Sequence, residues 1–291
     1  MRRQGGVGLA DRKQRLRKLA TVQNTVDSHS ANEAMPLESP ILEVKEVTKA
    51  FGGLIAVNRV SFDVNRGEIL AIIGPNGSGK TTLFNLISGF FPPTRGEIWF
   101  EGRNLKRRAP HRIASLGIGR TFQLLQLFAN MSVVENVMVG RHLRSKAGML
   151  DTAIRLPHSR AEERDIFEAA MSTLAMVGLK EEAYNPPLSL PYGKQKLLEI
   201  ARALATEPKL LLMDEPAGGI SVQEIEALAQ LIYQIRDSGI TVLVVEHRME
   251  LAMGIADRVI VLNFGQKIAE GTPAEVQTNE QVITAYLGEE F

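Results

Sequence analysis

Gly74-Pro75-Asn76-Gly77-Ser78-Gly79-Lys80-Thr81-Thr82 is the stretch on which the reading of this chain turns. The apolar run Ile69-Leu70-Ala71-Ile72-Ile73 precedes it, and Leu83-Phe84-Asn85-Leu86-Ile87 follows. That pattern predicts a buried strand, a glycine-rich turn and the first turns of a helix. Glycines at 74, 77 and 79 admit turn geometries closed to residues with a Cβ. The N–H groups of such a turn converge on an anion at the positive end of the helix. Lys80 adds a point charge for outer phosphates, and the Thr81 hydroxyl suits Mg²⁺. The full G-x-x-x-x-G-K-T match, in the strand–turn–helix context it requires, predicts a bound nucleoside triphosphate.

Composition sets the outer limits. A chain of 291 residues is one large domain or two small ones and can bury a sizeable core. Lysine and arginine total 34 against 33 aspartates and glutamates, which gives no broad footprint for nucleic acid. Cysteine is absent, so disulfides and cysteine metal sites are excluded, in keeping with a reducing compartment. No apolar run reaches the length of a spanning helix, and Met1-Arg2-Arg3-Gln4-Gly5-Gly6 lacks the apolar stretch of a secretory signal. A soluble cytosolic protein is the expectation.

Residues 1–38 stand apart as a basic arm expected to be disordered, or not native if Met35 is the true start. From Pro40 the texture changes. Ile41–Val47 and Val57–Val64 alternate apolar and polar residues in part, as half-buried antiparallel strands do, and Gly96–Gly102 predicts another strand. Residues from about 125 to 190 are expected to form a helical insertion, with Ser159 and Glu162 as a capping box and Ile166, Ala170, Leu174 and Val177 at helical spacing. Residues 141–158 show no clear period and are expected to be loop plus short helix. The last third alternates cleanly: a helix over 194–206, the apolar strand Leu210–Met213, a helix capped by Ser221 and Glu224, then strands Ile240–Val245 and Arg258–Leu262. Strands alternating with helices predict a mainly parallel sheet covered on both faces, an α/β P-loop NTPase core beside an N-terminal antiparallel layer.

Asp214 and Glu215 end one buried strand, and His247 ends the next. In open α/β sheets the carboxyl ends of the strands face the ligand crevice. Phosphoryl transfer needs a carboxylate for Mg²⁺ and a group for the attacking water, tasks that Asp214 and Glu215 can divide. His247 is then within reach of a γ-phosphate or that water. Gln123, in Gly119-Arg120-Thr121-Phe122-Gln123, sits where the insertion begins, placed to reach Mg²⁺ and sense the insertion's movement; a surface-loop glutamine is the plainer reading. Leu190-Pro191-Tyr192-Gly193-Lys194-Gln195 opens a helix and offers a second anion site. Because this chain's own phosphates are already held at 74–82, a second site suggests a second protomer.

These residues together resemble the ATP-binding subunits of ABC transporters, over about 41–288. Gly74–Thr81 matches Walker A, and Leu210–Asp214 followed by Glu215 matches Walker B. Gln123 is similar to the Q-loop, Leu190–Lys194 (with Tyr192 and Gly193) to the signature loop, and His247 to the switch histidine. Phe51, in Ala50-Phe51-Gly52-Gly53, fits the aromatic that stacks on adenine. The resemblance implies ATP and Mg²⁺ and a head-to-tail dimer, homo- or heteromeric, in which each ATP lies between one subunit's P-loop and the other's signature. It also implies integral membrane permease subunits, an external solute-binding protein served indirectly, and a peripheral place on the cytoplasmic face of the plasma (inner) membrane. Phe51–Val57, Arg120–Gln123, Phe128–Val137 and the ending Ala285-Tyr286-Leu287-Gly288 resemble branched-chain amino-acid importers; urea and amide importers share much of the pattern, and lipopolysaccharide-export ATPases are more distant.

Two departures stand out. The signature usually reads Leu-Ser-Gly-Gly-Gln, but here Pro191, Tyr192 and Lys194 replace its serine, first glycine and glutamine. Pro191 removes a hydroxyl and an N–H donor, while Lys194 brings a charge. Ser221 stands where an aspartate is usual in the loop after Walker B. A soluble ABC ATPase acting outside transport, or a regulatory nucleotide switch with little turnover, are the competing readings.

Overall fold

The computed structural model describes residues 39–123, 125–141 and 157–287, with side chains described from Glu163 onward in the helix that opens at Pro157. The expectations placed on residues 1–38, on 142–156 and on Gly288 lie outside these. Ser39–Phe291 forms a compact unit of its own.

The chain begins with a long hairpin, β1 (Leu42–Phe51) and β2 (Leu54–Val64), turning at Gly52-Gly53. These strands run further than the alternation predicts, because Lys49, Ala50 and Phe51 keep pairing after the apolar pattern has faded. Strand β3 (Ile69–Ile73) leads through the glycine loop into α1 (Lys80–Ile87). Strands β4 (Arg95–Phe100) and β5 (Arg103–Asn104) complete a four-stranded antiparallel sheet, ordered β2-β1-β4-β5. Next come the short α2 (Pro110–Leu116) and β6 (Ile118–Arg120), which leave almost no periodicity in the sequence.

The helical insertion holds α3 (Val133–Arg141) and α4 (Pro157–Met176). Helix α4 opens before Ser159, so the capping box expected at Ser159 and Glu162 falls inside the helix rather than at its end. Its apolar face is as predicted: Ile166, Ala170 and Leu174 are buried, as is Val177 just past its end, and Gly178 follows with φ 74°. The remainder comprises α5 (Tyr192–Leu204), β7 (Leu210–Asp214), α6 (Val222–Asp237), β8 (Thr241–Val245), α7 (Met249–Ile255), β9 (Arg258–Asn263), β10 (Gln266–Gly271), α8 (Pro273–Gln277) and α9 (Glu280–Leu287).

A six-stranded sheet, ordered β10-β9-β3-β8-β7-β6, forms the centre; all neighbours are parallel except the β10–β9 pair. Every residue of β3, β7 and β8 is buried, and alternate residues feed two separate cores. Ile69, Ala71, Ile73, Leu211, Met213, Val242 and Val244 pack against helices of one face. Leu70, Ile72, Leu210, Leu212, Leu243 and Val245 pack with Phe84, Leu86 and the antiparallel layer on the other. Strands covered on both sides have no polar face to show, which is why they read as unbroken apolar runs. Register then sets the site. Ile72 pairs with Val245, and Val245 with Asp214, so the three strands reach their carboxyl edge in one row.

Candidate functional site

At that edge the glycine loop leaves β3. Gly74 has φ 151°, and a Cβ there would lie 2.1 Å from the Leu262 carbonyl oxygen; Gly79 has φ 101°, and a Cβ would lie 2.5 Å from that of Ala56. The loop is therefore wrapped against neighbouring backbone at positions only glycine fits. Asn76 and Gly77 are exposed at its tip, while Ser78 donates its N–H to Pro75. Lys80 Nζ donates to the Gly74 and Pro75 carbonyls at 2.7 and 2.8 Å, so a buried ammonium lies within the curve of the loop. Thr81 is exposed and Thr82 half-buried in the first turn of α1.

Two strands away, Asp214 is 1% exposed. Its Oδ2 accepts from Arg120 Nη2 at 3.0 Å, and its N–H donates to Thr121 Oγ1. Its Oδ1 is buried and has no hydrogen-bond partner among the described residues. Burial pushes the Asp214 carboxyl above its ordinary range; Arg120 opposes that shift and Glu215 adds to it. Glu215 takes a left-handed backbone, φ 48°, and donates its N–H to Val245. The turn points its carboxylate toward Gln123: Glu215 Oε2 accepts from Gln123 Nε2 at 2.8 Å, with His247 Nδ1 at 3.5 Å. Gln123, Glu215 and His247, far apart in the chain, thus meet at one oxygen.

Behind them lie residues that carry no motif. Glu246 is fully buried and accepts backbone N–H bonds from Ala217, His247 and Arg248, tying the segment after Asp214-Glu215 to the end of β8. Along α5, Lys196 Nζ donates to the Gln123 carbonyl at 3.1 Å, Glu199 accepts the Phe122 N–H at 2.8 Å, and Arg202 donates to the Gln126 carbonyl. Burial raises the Glu199 carboxyl. Lys196, Glu199 and Arg202 recur every three residues, a charged stripe in which Lys196 and Glu199 are buried; the spacing is visible in the sequence, but what it holds is not. Arg120 and Glu246 gave no signal.

The signature segment lies elsewhere. Pro191 caps α5, the Leu190 side chain is buried, and Lys194 pairs with Glu182. The Tyr192 ring lies against Gly219, and a Cβ on Gly193 would meet Glu224 Oε1 at 2.2 Å. Ser221 stands at the head of α6, and Glu224 Oε2 accepts from both its N–H and its hydroxyl. Among the described residues, none of these partners belongs to the glycine loop. Phe51 is 42% exposed, edge-on to Phe91 at 5.4 Å, with Lys49 Nζ over its ring.

A glycine loop at the end of a central strand, with paired acids at the end of a parallel strand two places along the sheet, defines a P-loop nucleotide hydrolase. Comparison with known proteins narrows this class. The family model for "ABC transporter" matches residues 57–218, and that for "Branched-chain amino acid ATP-binding cassette transporter" matches 266–291. The chain is 42% identical over 254 residues to the "High-affinity branched-chain amino acid transport ATP-binding protein LivG" of Salmonella typhimurium, covering 87% of this chain and 100% of that one. It superposes on a crystal structure of the ADP conformation of an ATP-binding cassette with TM-score 0.75 and 33% identity, over 86% and 100% of the two chains. A dimeric cassette bound to ADP and Pi superposes with TM-score 0.69 and 27% identity, over 80% and 98%. The chain belongs to the ABC transporter family, as an ATP-binding subunit. It is therefore an ATPase, the motor of a transporter, of the kind that works as a dimer with membrane permeases.

Proposed function

We propose that this ATPase drives uptake of branched-chain amino acids from the cytoplasmic face of the plasma membrane. The match of its last residues to the branched-chain cassette model, with full-length coverage of a LivG relative, supports that substrate class. Among the described residues no helix is long and apolar enough to cross a membrane, so attachment runs through permease subunits, and an external solute-binding protein delivers the substrate to them.

In this reading Gly74, Pro75, Asn76, Gly77, Ser78, Gly79, Lys80, Thr81 and Thr82 hold the ATP phosphates, and Phe51 faces the base. The donor set fits a hard divalent cation: a hydroxyl at Thr81, an amide oxygen at Gln123, and Asp214, whose buried Oδ1 has no other partner among the described residues. When bound, Mg²⁺ neutralises charge on the phosphoryl oxygens. Glu215 takes the proton of the water that attacks the γ-phosphorus, and the leaving group is ADP. Gln123 and His247 keep the accepting oxygen of Glu215 in place. Leu190, Tyr192, Gly193 and Lys194 of a second subunit supply the opposite wall, so the paired state hydrolyses and the lone subunit only binds.

The convergence of Gln123 and His247 on Glu215 Oε2 carries the catalytic part of this reading. Its test is Glu215→Gln: the amide cannot accept the proton, and at saturating ATP·Mg²⁺ the variant should elute as a dimer while the wild type cycles. A variant that stays monomeric defeats the sandwich. Substrate class is tested separately, by ATP-dependent uptake of leucine against urea into vesicles holding the whole transporter.

A further inference from the structure

Arg120, the last residue of β6, has been given no role in nucleotide binding or hydrolysis, yet its guanidinium joins two elements that frame the phosphate site. Nη2 holds Asp214 Oδ2 at 3.0 Å on β7. Nη1 donates to Asn85 Oδ1 at 2.8 Å and Ser88 Oγ at 2.6 Å, on or just after α1, the helix whose first turn carries Lys80 and Thr81. Its side chain is 8% exposed. Phe84, Phe90 and Phe122 surround the guanidinium at 5.8, 5.4 and 5.3 Å from their centroids, and Phe90 and Phe122 meet edge-on at 6.0 Å. A planar cation gripped by rings and by two hydrogen-bonding arms has one orientation, which an ammonium on a flexible stem would lack.

The consequence falls on Asp214. A carboxylate held at one oxygen by a fixed donor cannot rotate freely about its last bond, so its other oxygen has a fixed direction too. That other oxygen, Oδ1, is the buried one without a partner among the described residues. We propose that Arg120 is a positioning residue for the metal site: by holding Asp214 Oδ2 and anchoring to α1, it aims Oδ1 at the divalent cation and fixes its distance from Thr81. This rests on the reading of Asp214 as a metal ligand. Partners that orient metal ligands in this way typically contribute a factor of about 10–100 in metal affinity.

The experiment uses the full-length protein and Mn²⁺ as probe, titrated by electron paramagnetic resonance into the ADP-saturated state, beside ADP affinity measured in EDTA. Arg120→Met should weaken Mn²⁺ binding about tenfold and leave metal-free ADP affinity unchanged; Arg120→Lys should recover part of the loss. Because removing one partner of a buried ion pair can unfold a protein, Asn85→Ala/Ser88→Ala, which keeps the Arg120–Asp214 pair but loosens the guanidinium, should show the same selective loss at smaller size. Wild-type Mn²⁺ affinity in Arg120→Met, or an equal fall in metal-free ADP affinity, overturns the proposal. Asp214→Asn separates the premises: if it too binds Mn²⁺ like wild type, the metal-ligand reading itself fails; if it alone is defective, only the role of Arg120 falls.

Discussion

Gly79 shows how closely the phosphate loop is specified one residue at a time. Its φ of 101° and the 2.5 Å approach of the Ala56 carbonyl to any Cβ mean that Gly79→Ala meets both backbone strain and immovable backbone. The expected cost is roughly 3 kcal/mol or more, read as a large drop in the urea midpoint. Gly193 is a contrast, since a Cβ there meets only the end of the Glu224 side chain; Gly193→Ala should fold almost normally. Glu246 works through its two oxygens. In Glu246→Gln an N–H₂ replaces one of them and faces either Ala217 N–H or those of His247 and Arg248, at an expected cost of about 1–3 kcal/mol. Burial raises the Glu246 carboxyl above its ordinary 4.5. The folded state therefore binds this proton more tightly, and the stability it contributes falls as pH rises from the unfolded value through the folded one. Gln does not titrate, so wild-type stability minus that of Glu246→Gln should decline across that window; parallel pH curves would refute the assignment.

Helix α5 is the element that joins the most distant parts of the site. Its first turn carries Tyr192, Gly193 and Lys194, and its polar stripe holds the backbone of Phe122, Gln123 and Gln126 through Glu199, Lys196 and Arg202. Any shift of α5 is therefore felt at Gln123, whose side chain sits on Glu215. Lys196→Met keeps the stem's packing and removes the donation to the Gln123 carbonyl. Steady-state ATPase should fall severalfold, with ATP binding by Lys80 and its loop intact; unchanged turnover would separate the two segments. The motifs at each end of this path were legible, because Gly, Pro and Gln at fixed offsets have local causes. The stripe was not, because a charged residue on a helix reads as solvent-facing until the neighbouring loop is seen to cover it. Strand β6 and helix α2 were missed for a related reason: three and seven residues leave too short a period to recognise.

At the scale of the molecule, the compact unit from Ser39 onward holds both cores and every site residue discussed. Removing residues 1–38 should leave the thermal midpoint and ATP binding where they are, and a lowered midpoint would show that the arm belongs to the fold. The parallel sheet was predictable because strands covered on both faces have no choice but to be apolar throughout. The glycine loop, the strand-end pair Asp214-Glu215 and the fold class are legible in the sequence, since each rests on short-range geometry: glycine turns, strand ends, helix starts. Tertiary structure alone decided which groups meet. Register across β3, β8 and β7 set Asp214 level with Val245, the left-handed turn at Glu215 aimed its carboxylate at Gln123 and His247, and burial singled out Arg120 and Glu246. Those partners are separated by tens of residues in the chain, and side-chain direction and desolvation, which choose among them, exist only once the sheet has formed.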